Sequence, residues 1–129
     1  MFDYFYGAQS EHFAFYRVPK VLFTNDRFKY LSAEAKTLYG ILLDRVPLSA
    51  KNGWIDEKGR VYIICTIEEI MADMSCGNKK AVQLLADLET KVGLIERKRQ
   101  GLGKPNLIYV KNFISVDNPV ERHFQKCQN

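Results

Sequence analysis

The chain has 129 residues, of which 47% are hydrophobic and 26% charged, a balance that suits one globular domain with a single core. Its net charge of +4 fits a nucleic-acid partner, whereas no apolar run approaches the ~20 residues of a transmembrane helix. The N-terminus also lacks the charged-then-apolar order of a signal peptide. We therefore expect a cytoplasmic protein that makes no contact with a membrane.

The cysteines and histidines do not form a metal-binding pattern. Cys65, Cys76 and Cys127 show no CxxC spacing, and His12 and His123 lie far from them in the sequence. Zinc ligands normally come in closely spaced pairs. We expect no metal, no cofactor and no disulfide framework, with Cys65 as a buried thiol inside an apolar run.

Residues 1–30 hold most of the aromatic side chains. We expect an extended arm or strand here that packs on the body of the domain or on a dimer partner. The side chains predicted to pack on the body are Phe15, Val18, Leu22 and Phe23. Residues 2–6 are predicted to bury their aromatic rings in a second copy, since a two-fold homodimer would match paired DNA half-sites.

The first clear helix is predicted to begin after Ser32, a good N-cap, and to run to about Val46, where Pro47 stops it. Its apolar positions follow the i, i+3, i+4, i+7 spacing of one buried face: Ala35, Leu38, Tyr39, Leu42, Leu43 and Val46. Residues 48–60 are rich in polar and turn-forming types, which predicts a loop anchored by Trp54 and Ile55. Residues 61–65 are β-branched and aromatic, which predicts a short strand.

Two closely spaced helices follow. Thr66 and Glu69 match a capping box, so a helix should begin there, with Ile67, Ile70, Met71 and Met74 on its buried face. A tight turn over residues 75–77 leads into a second helix over residues 78–92. Two short helices joined in this way form a helix-turn-helix.

The second of these helices has two distinct faces at 100° per residue. The core-facing side chains are predicted to be Ala81, Leu84, Leu85, Leu88 and Val92, and the outward ones Lys79, Lys80, Gln83, Asp87 and Thr90. Its first two turns carry cationic and amide groups, and this end usually enters the major groove. We predict that Gln83 reads adenine and that Asn78, Lys79 and Lys80 contact bases or phosphates.

A basic hairpin follows over residues 91–111, KVGLIERKRQGLGKPNLIYVK. Residues 94–100 predict one strand, the glycine-containing segment 101–105 a turn and residues 106–111 the return strand. Only Glu96 opposes the Lys and Arg residues of this segment. Such charge at a projecting tip favours contact with phosphates, so we predict DNA contacts from Arg97, Lys98, Arg99, Lys104 and Asn106, with Arg17 and Lys20 as flanking phosphate contacts.

The order helix, strand, helix, turn, helix, basic hairpin predicts an α+β winged helix-turn-helix domain. It would have a three-helix core, a small antiparallel sheet, a β-hairpin wing and the N-terminal aromatic arm. We assign residues 31–114 to this domain, residues 1–30 to the arm and residues 115–129 to a polar tail or linker.

Three runs resemble a known family: FYRVPK at residues 15–20, LSAKNGWID at residues 48–56 and GLIERKRQGLGKPN at residues 93–106. Over about residues 4–114 the chain resembles the N-terminal domain of RepA-type replication initiators of plasmids and integrative elements in low-GC Gram-positive bacteria. The resemblance implies recognition of repeated origin sequences, commonly as a dimer. The family normally adds a smaller domain after a linker, so we expect this chain to be an isolated N-terminal domain and host replication machinery to be contacted from elsewhere.

The predicted function is therefore sequence-specific binding of double-stranded DNA at origin repeats. Two other classes share these features: a winged-helix transcription regulator and a winged-helix protein-interaction module. An enzyme is disfavoured because the sequence contains no glycine-rich phosphate loop and no nucleophile with a suitably spaced base.

Overall fold

The computed structural model describes residues 1–7 and 13–114, so the predicted tail over residues 115–129 lies outside it. The described part contains α-helices, one 3₁₀ turn and short strands, in the order α1 (Val21–Thr24), η1 (Asp26–Phe28), α2 (Ala33–Asp44), α3 (Val46–Lys51), β1 (Ile63–Ile64), α4 (Ile67–Met74), α5 (Asn78–Thr90), β2 (Ile95–Lys98) and β3 (Leu107–Val110). No described helix is long and apolar enough to cross a bilayer.

The predicted apolar faces of α2 and α5 form the centre of the core. Leu38, Tyr39 and Leu42 of α2 pack in one cluster with the inward side of α5 and with residues from all three strands. Burial of the Tyr39 ring raises the pKa of its hydroxyl to about 12, and this hydroxyl donates to the Lys111 carbonyl beyond β3. The helix periodicity therefore predicts most of the buried apolar face of α2, although Ile41 and Lys36 are also buried.

Helix α2 begins as predicted, but its end was predicted wrongly. The Ser32 hydroxyl accepts from the Ala35 amide at 3.1 Å, which makes Ser32 the N-cap. Helix α2 ends at Asp44, and Pro47 lies in the first turn of α3. Proline is tolerated there because first-turn amides have no partner within the helix. The predicted loop therefore begins only after Lys51.

The helix-turn-helix is formed by α4 and α5. Both hydrogen bonds of the predicted capping box are present, from the Glu69 amide to the Thr66 hydroxyl at 3.1 Å and from the Thr66 amide to the Glu69 carboxylate at 3.2 Å. Helix α4 ends at Met74, and its C-cap residue Ser75 has a left-handed backbone with φ 52°. This conformation closes the helix and turns the chain into α5 within three residues.

The sheet is antiparallel, with the strand order β1-β3-β2. β2 and β3 form the predicted hairpin, in which Arg97 lies opposite Ile108, and β1 pairs with β3 through Ile63 and Ile108. Helix-turn-helix followed by a hairpin that pairs with an upstream strand is the winged-helix arrangement, so the predicted α+β fold is confirmed.

The segment between α3 and β1 is organised around Asp56. Its carboxylate accepts hydrogen bonds from the Lys58 and Arg60 amides, the Arg60 guanidinium and the Tyr109 hydroxyl. Desolvation raises the pKa of Asp56, but these four donors outweigh it and hold that pKa well below its usual value. Trp54 stacks on Tyr62, whereas Ile55 is 45% exposed, so its predicted role as an anchor was wrong.

The N-terminal segment packs differently from the prediction. Leu22 is fully buried and Val18 packs partly buried against the core, as predicted. The chain forms α1 here rather than a strand, however, and Phe15 and Phe23 are 67% and 59% exposed. A single helical turn can direct only some of its side chains inward, and α1 directs Leu22 there. The aromatic side chains of residues 2–6 are also exposed, as expected for an extended arm.

Candidate nucleic-acid interface

The outward face of α5 carries the four helix residues predicted to bind DNA. Asn78, Lys79, Lys80 and Gln83 are all exposed and, with Gly77, line one shallow surface depression of about 520 Å³. They occupy the first two turns of a 13-residue helix whose opposite side is embedded in the core. The core therefore fixes the direction in which this face points.

Two of these side chains have partners within the domain. The Lys80 ammonium lies 2.9 Å from the Glu34 carboxylate at the start of α2, and this bond raises the pKa of Lys80. The Gln83 Nε2 atom donates to Asp87 Oδ1 at 2.8 Å. Asp87 was predicted to point outward, but it is only 9% exposed. Its carboxylate accepts from Gln83 and lies 3.8 Å from the Lys91 ammonium, so side chains of the same helix shield it from solvent.

The basic residues of the hairpin fall into two groups. Lys98, Arg99 and Lys104 are exposed and make no ion pair within the described residues. Arg97 is half-buried and bound to Glu89 of α5, which accepts from the Arg97 amide at 3.0 Å and from its Nε atom at 2.8 Å. Only the first group projects freely from the wing.

The Glu89 to Arg97 contact joins the wing to α5. Burial raises the pKa of Glu89, but the hydrogen bonds from Arg97 outweigh that effect and hold the pKa below its usual value. Glu89 is therefore a charged partner for Arg97 at neutral pH. Sequence reasoning did not identify this pair, because the two residues lie on different elements and no helical spacing relates them.

A groove of about 410 Å³ separates the start of α4 from the wing. Thr66 and Glu68 line one side, Lys104 and Asn106 the other, and Val82 of α5 lies between them. Val82 is 43% exposed, and an apolar side chain beside the polar face of α5 could contact a thymine methyl group. Sequence reasoning did not identify Val82. The sign that could have revealed it is an apolar side chain that lies outside the predicted core face of α5 on the helical wheel.

Arg17 and Lys20 lie elsewhere. Both are exposed, but no described contact joins either residue to α5 or to the wing. The Arg17 backbone packs against α2, where a Cβ atom on Gly40 would lie 2.9 Å from the Arg17 carbonyl oxygen. The structure therefore brings together the α5 residues and the wing residues, and leaves these two apart from them.

Helix α4 is held to the C-terminal end of α2 by Arg45. The Arg45 guanidinium lies 3.0 Å from Glu69 and 3.2 Å from Asp73. The Thr66 amide and this guanidinium together lower the pKa of Glu69. The same carboxylate thus caps α4 and positions it on α2, which sets where α5 begins.

The family model described as "Replication initiator protein A (RepA) N-terminus" matches residues 14–125. The chain belongs to this family. The resemblance seen in the sequence is therefore confirmed.

Among curated proteins, the domain is similar to a "41 kDa protein" of Lactobacillus helveticus, with 29% identity over 92 residues. The match covers 71% of this chain and 26% of that protein, so the chain spans about a quarter of the relative's length.

Three solved structures resemble the domain over nearly their whole lengths. One is described as "N-Terminal domain of DNA binding protein", with 35% identity, a TM-score of 0.74 and coverage of 100% of this chain and 97% of that one. A second, "Structure of Rep-DNA complex", has 35% identity, a TM-score of 0.74 and coverage of 98% and 96%. A third, "Structure of MDR initiator", has 37% identity, a TM-score of 0.71 and coverage of 98% and 99%.

Proposed function

We propose that the domain binds duplex DNA sequence-specifically at repeated sites in the replication origin of its own genetic element. Helix α5 enters the major groove, and the wing lies against the backbone or the minor groove beside it. The domain acts by binding rather than by catalysis, and strand opening is left to other proteins. We place it in the cytoplasm, where such an element is replicated.

The observation that carries this proposal is the shared orientation of two basic elements. Glu89 ties the wing to α5, so both elements keep a fixed relation when they meet one duplex. Lys79 on the helix and Lys98, Arg99 and Lys104 on the wing have no acidic partner among the described residues. Cations without an acidic partner on both the helix and the wing are suited to bind the phosphates on either side of a DNA groove.

The comparisons support the same proposal. The domain shares its fold and about a third of its sequence with a Rep protein solved with DNA. It also has the architecture of a helix-turn-helix reader, with amide and cationic side chains in the first two turns of the second helix. Gln83 is suited to adenine, and Lys79 or Lys80 to guanine or phosphate.

The test is fluorescence anisotropy with duplexes containing the repeats within or beside the gene, against shuffled duplexes, over a salt series. We expect a preference of ~10³ or more that persists at physiological salt. Equal affinities that fall together as salt rises would leave only phosphate contact and would favour a protein-interaction module. A preference for a promoter operator over the repeats would favour a transcription regulator.

The domain is further proposed to act as a homodimer through its N-terminal aromatic residues. Phe2, Tyr4 and Phe5 are between 71% and 101% exposed, and Phe5 contacts Phe13 edge-to-face with ring centroids 5.6 Å apart. Exposed aromatic rings in one cluster are typical of an interface. Sedimentation equilibrium should show a dimer that dissociates when residues 1–7 are removed; an unchanged dimer would contradict this route of association.

Contact with host replication machinery is proposed to lie outside this chain. The chain corresponds to about a quarter of the Lactobacillus helveticus relative, which leaves most of such a protein for other roles. Pull-down of host replication proteins by a longer protein of this family, and not by residues 1–129, would support this division.

A further inference from the structure

We propose that Asp87 is the positioning residue that fixes the edge of Gln83 presented to DNA, and thereby sets the preference of α5 for adenine. This inference rests on the proposed function and adds a specificity-determining residue to it. Asp87 itself would make no contact with a base, because it is 9% exposed and lies beneath the Gln83 side chain.

The chemistry of the pair fixes the orientation of the amide. An ionised carboxylate accepts hydrogen bonds and donates none, whereas a glutamine amide has an acceptor side and a donor side. The 2.8 Å contact between Asp87 Oδ1 and Gln83 Nε2 is therefore favourable in one of the two amide orientations. Rotating the amide by half a turn would bring Oε1 against Oδ1, with two acceptors facing each other.

The remaining groups of Gln83 match one base. The Nε2 atom carries two hydrogens, and the proposal requires that Asp87 accept the one that points away from the carbonyl oxygen. The second N–H and Oε1 are then left side by side on the exposed edge. Adenine presents an acceptor at N7 and a donor at N6 in the major groove, so this edge can pair with both.

Guanine offers two acceptors at the corresponding positions, N7 and O6. A fixed amide edge would place Oε1 against O6, and the amide could not rotate to avoid this without breaking its bond to Asp87. A freely rotating glutamine would adapt to either purine through a single hydrogen bond. Asp87 thus adds a repulsive element against guanine as well as an attractive one towards adenine.

The surroundings of Asp87 are suited to this role. The Lys91 ammonium lies 3.8 Å from the same Oδ1 atom, so this oxygen faces a cation as well as the Gln83 amide. Gln83 and Asp87 lie on the same helix, one turn apart. The bond therefore needs no movement of another element when DNA arrives, and it can persist in the complex.

The experiment begins with a pool of duplexes with a randomised central segment, from which the full chain selects its preferred sequence. Anisotropy then compares the selected duplex with versions in which each adenine is replaced in turn by guanine or by 7-deazaadenine, which lacks N7. The proteins are the wild type, Asp87→Asn, Gln83→Ala and the double variant. Asn at position 87 keeps the size of the side chain but can donate to Oε1, which frees the amide to rotate.

We expect one adenine at which the wild type discriminates against guanine by roughly tenfold or more. Asp87→Asn should lose most of this discrimination while its affinity for the guanine duplex stays the same or rises. In the Gln83→Ala background, Asp87→Asn should change the discrimination no further. The inference would be wrong if Asp87→Asn kept the discrimination between adenine and guanine. It would also be wrong if Asp87→Asn lowered the discrimination by the same factor in the Gln83→Ala background. Neither result would contradict the proposed function. A wild type that selects no sequence would overturn the proposed function as well.

A second measurement does not depend on any variant folding correctly. The two Nε2 protons of Gln83 can be followed by NMR in the wild-type protein before and after addition of the selected duplex. We expect one proton to keep its free-state chemical shift, because it stays on Asp87, and the other to move. If both protons move to new positions, the amide leaves Asp87 on binding and the inference is wrong.

Discussion

Glu89 accepts two hydrogen bonds from Arg97, one from the backbone amide at 3.0 Å and one from the guanidinium Nε atom at 2.8 Å. The first donor is a backbone group of β2, and the second is the side chain of the same residue. Glu89 on α5 therefore fixes both the position and the direction of the strand that begins the wing. The relation of helix to wing is thus set within the domain before DNA binds.

Glu89→Ala should therefore destabilise the domain and misplace the wing. Removing the carboxylate leaves a half-buried guanidinium and a backbone amide without their partner, which we expect to lower the free energy of unfolding by about 1–3 kcal/mol. Urea denaturation followed by circular dichroism measures this change. Glu89→Gln is the matched control, since its carbonyl can still accept one of the two bonds and should cost less. An equal free energy of unfolding for Glu89→Ala and the wild type would show that the contact does not stabilise the domain.

Gly40→Ala should also destabilise the domain, although alanine normally favours a helix by ~1 kcal/mol over glycine. The new Cβ atom would lie 2.9 Å from the Arg17 carbonyl oxygen and 2.9 Å from Val18 Cγ2. The first of these is backbone, so α2 and the N-terminal segment must separate, at a cost of about 1–3 kcal/mol. Thermal unfolding shows whether Gly40→Ala raises or lowers the stability of the domain. A higher melting temperature for Gly40→Ala than for the wild type would contradict this packing.

Stability should fall in acid partly because of Asp56. The hydrogen bonds from Arg60, Lys58 and Tyr109 hold the pKa of Asp56 in the folded state below its unfolded value of about 3.9. Its contribution is therefore complete above that unfolded value and is lost as the pH falls towards the folded pKa. We expect urea midpoints to decrease between about pH 5 and pH 2, with a shallower decrease for Asp56→Asn.

The control for this slope is Glu57→Gln, which removes a carboxylate from the same loop without touching the hydrogen bonds of Asp56. Its stability should follow the same dependence on pH as that of the wild type. If Asp56→Asn and the wild type show parallel curves, the acid sensitivity comes from other carboxylates.

Lys104→Ala should weaken binding to all duplexes and lower the dependence of affinity on salt. Each lost phosphate contact reduces the slope of log K against log salt by about 0.9. Anisotropy at several salt concentrations gives this slope for the selected and shuffled duplexes. Lys51→Ala is the matched control, because Lys51 is an exposed lysine at the end of α3, away from α5 and the wing. An unchanged slope for Lys104→Ala would remove Lys104 from the phosphate contacts.

Local patterns predicted much of the fold. The period of apolar residues identified the buried faces of α2 and α5, and Thr66 and Glu69 marked the start of α4, because these features depend on neighbours within one or two turns. Pro47 predicts the end of a helix, but the sequence alone does not show that a new helix begins one residue earlier, at Val46.

The missing parts of the candidate site depend on contacts between elements. The glutamate that binds Arg97 lies on α5, and nothing in the local sequence relates it to a residue of the hairpin. Asp87 falls near the boundary between the two faces of the helix wheel, where the direction of a side chain is decided by what packs beside it. The exposure of Phe23 likewise follows from how few residues α1 can direct into the core.

The central claim is that α5 reads sequence while the wing holds the backbone. The most direct measurement is the ratio of affinities for the selected and shuffled duplexes, by anisotropy, for Gln83→Ala and Lys98→Ala. We predict that Gln83→Ala lowers this ratio by roughly fivefold or more with little effect on the shuffled duplex. Lys98→Ala should weaken both duplexes by a similar factor and leave the ratio unchanged. An unchanged ratio for Gln83→Ala, or a ratio that Lys98→Ala alone lowers, would contradict this division between helix and wing.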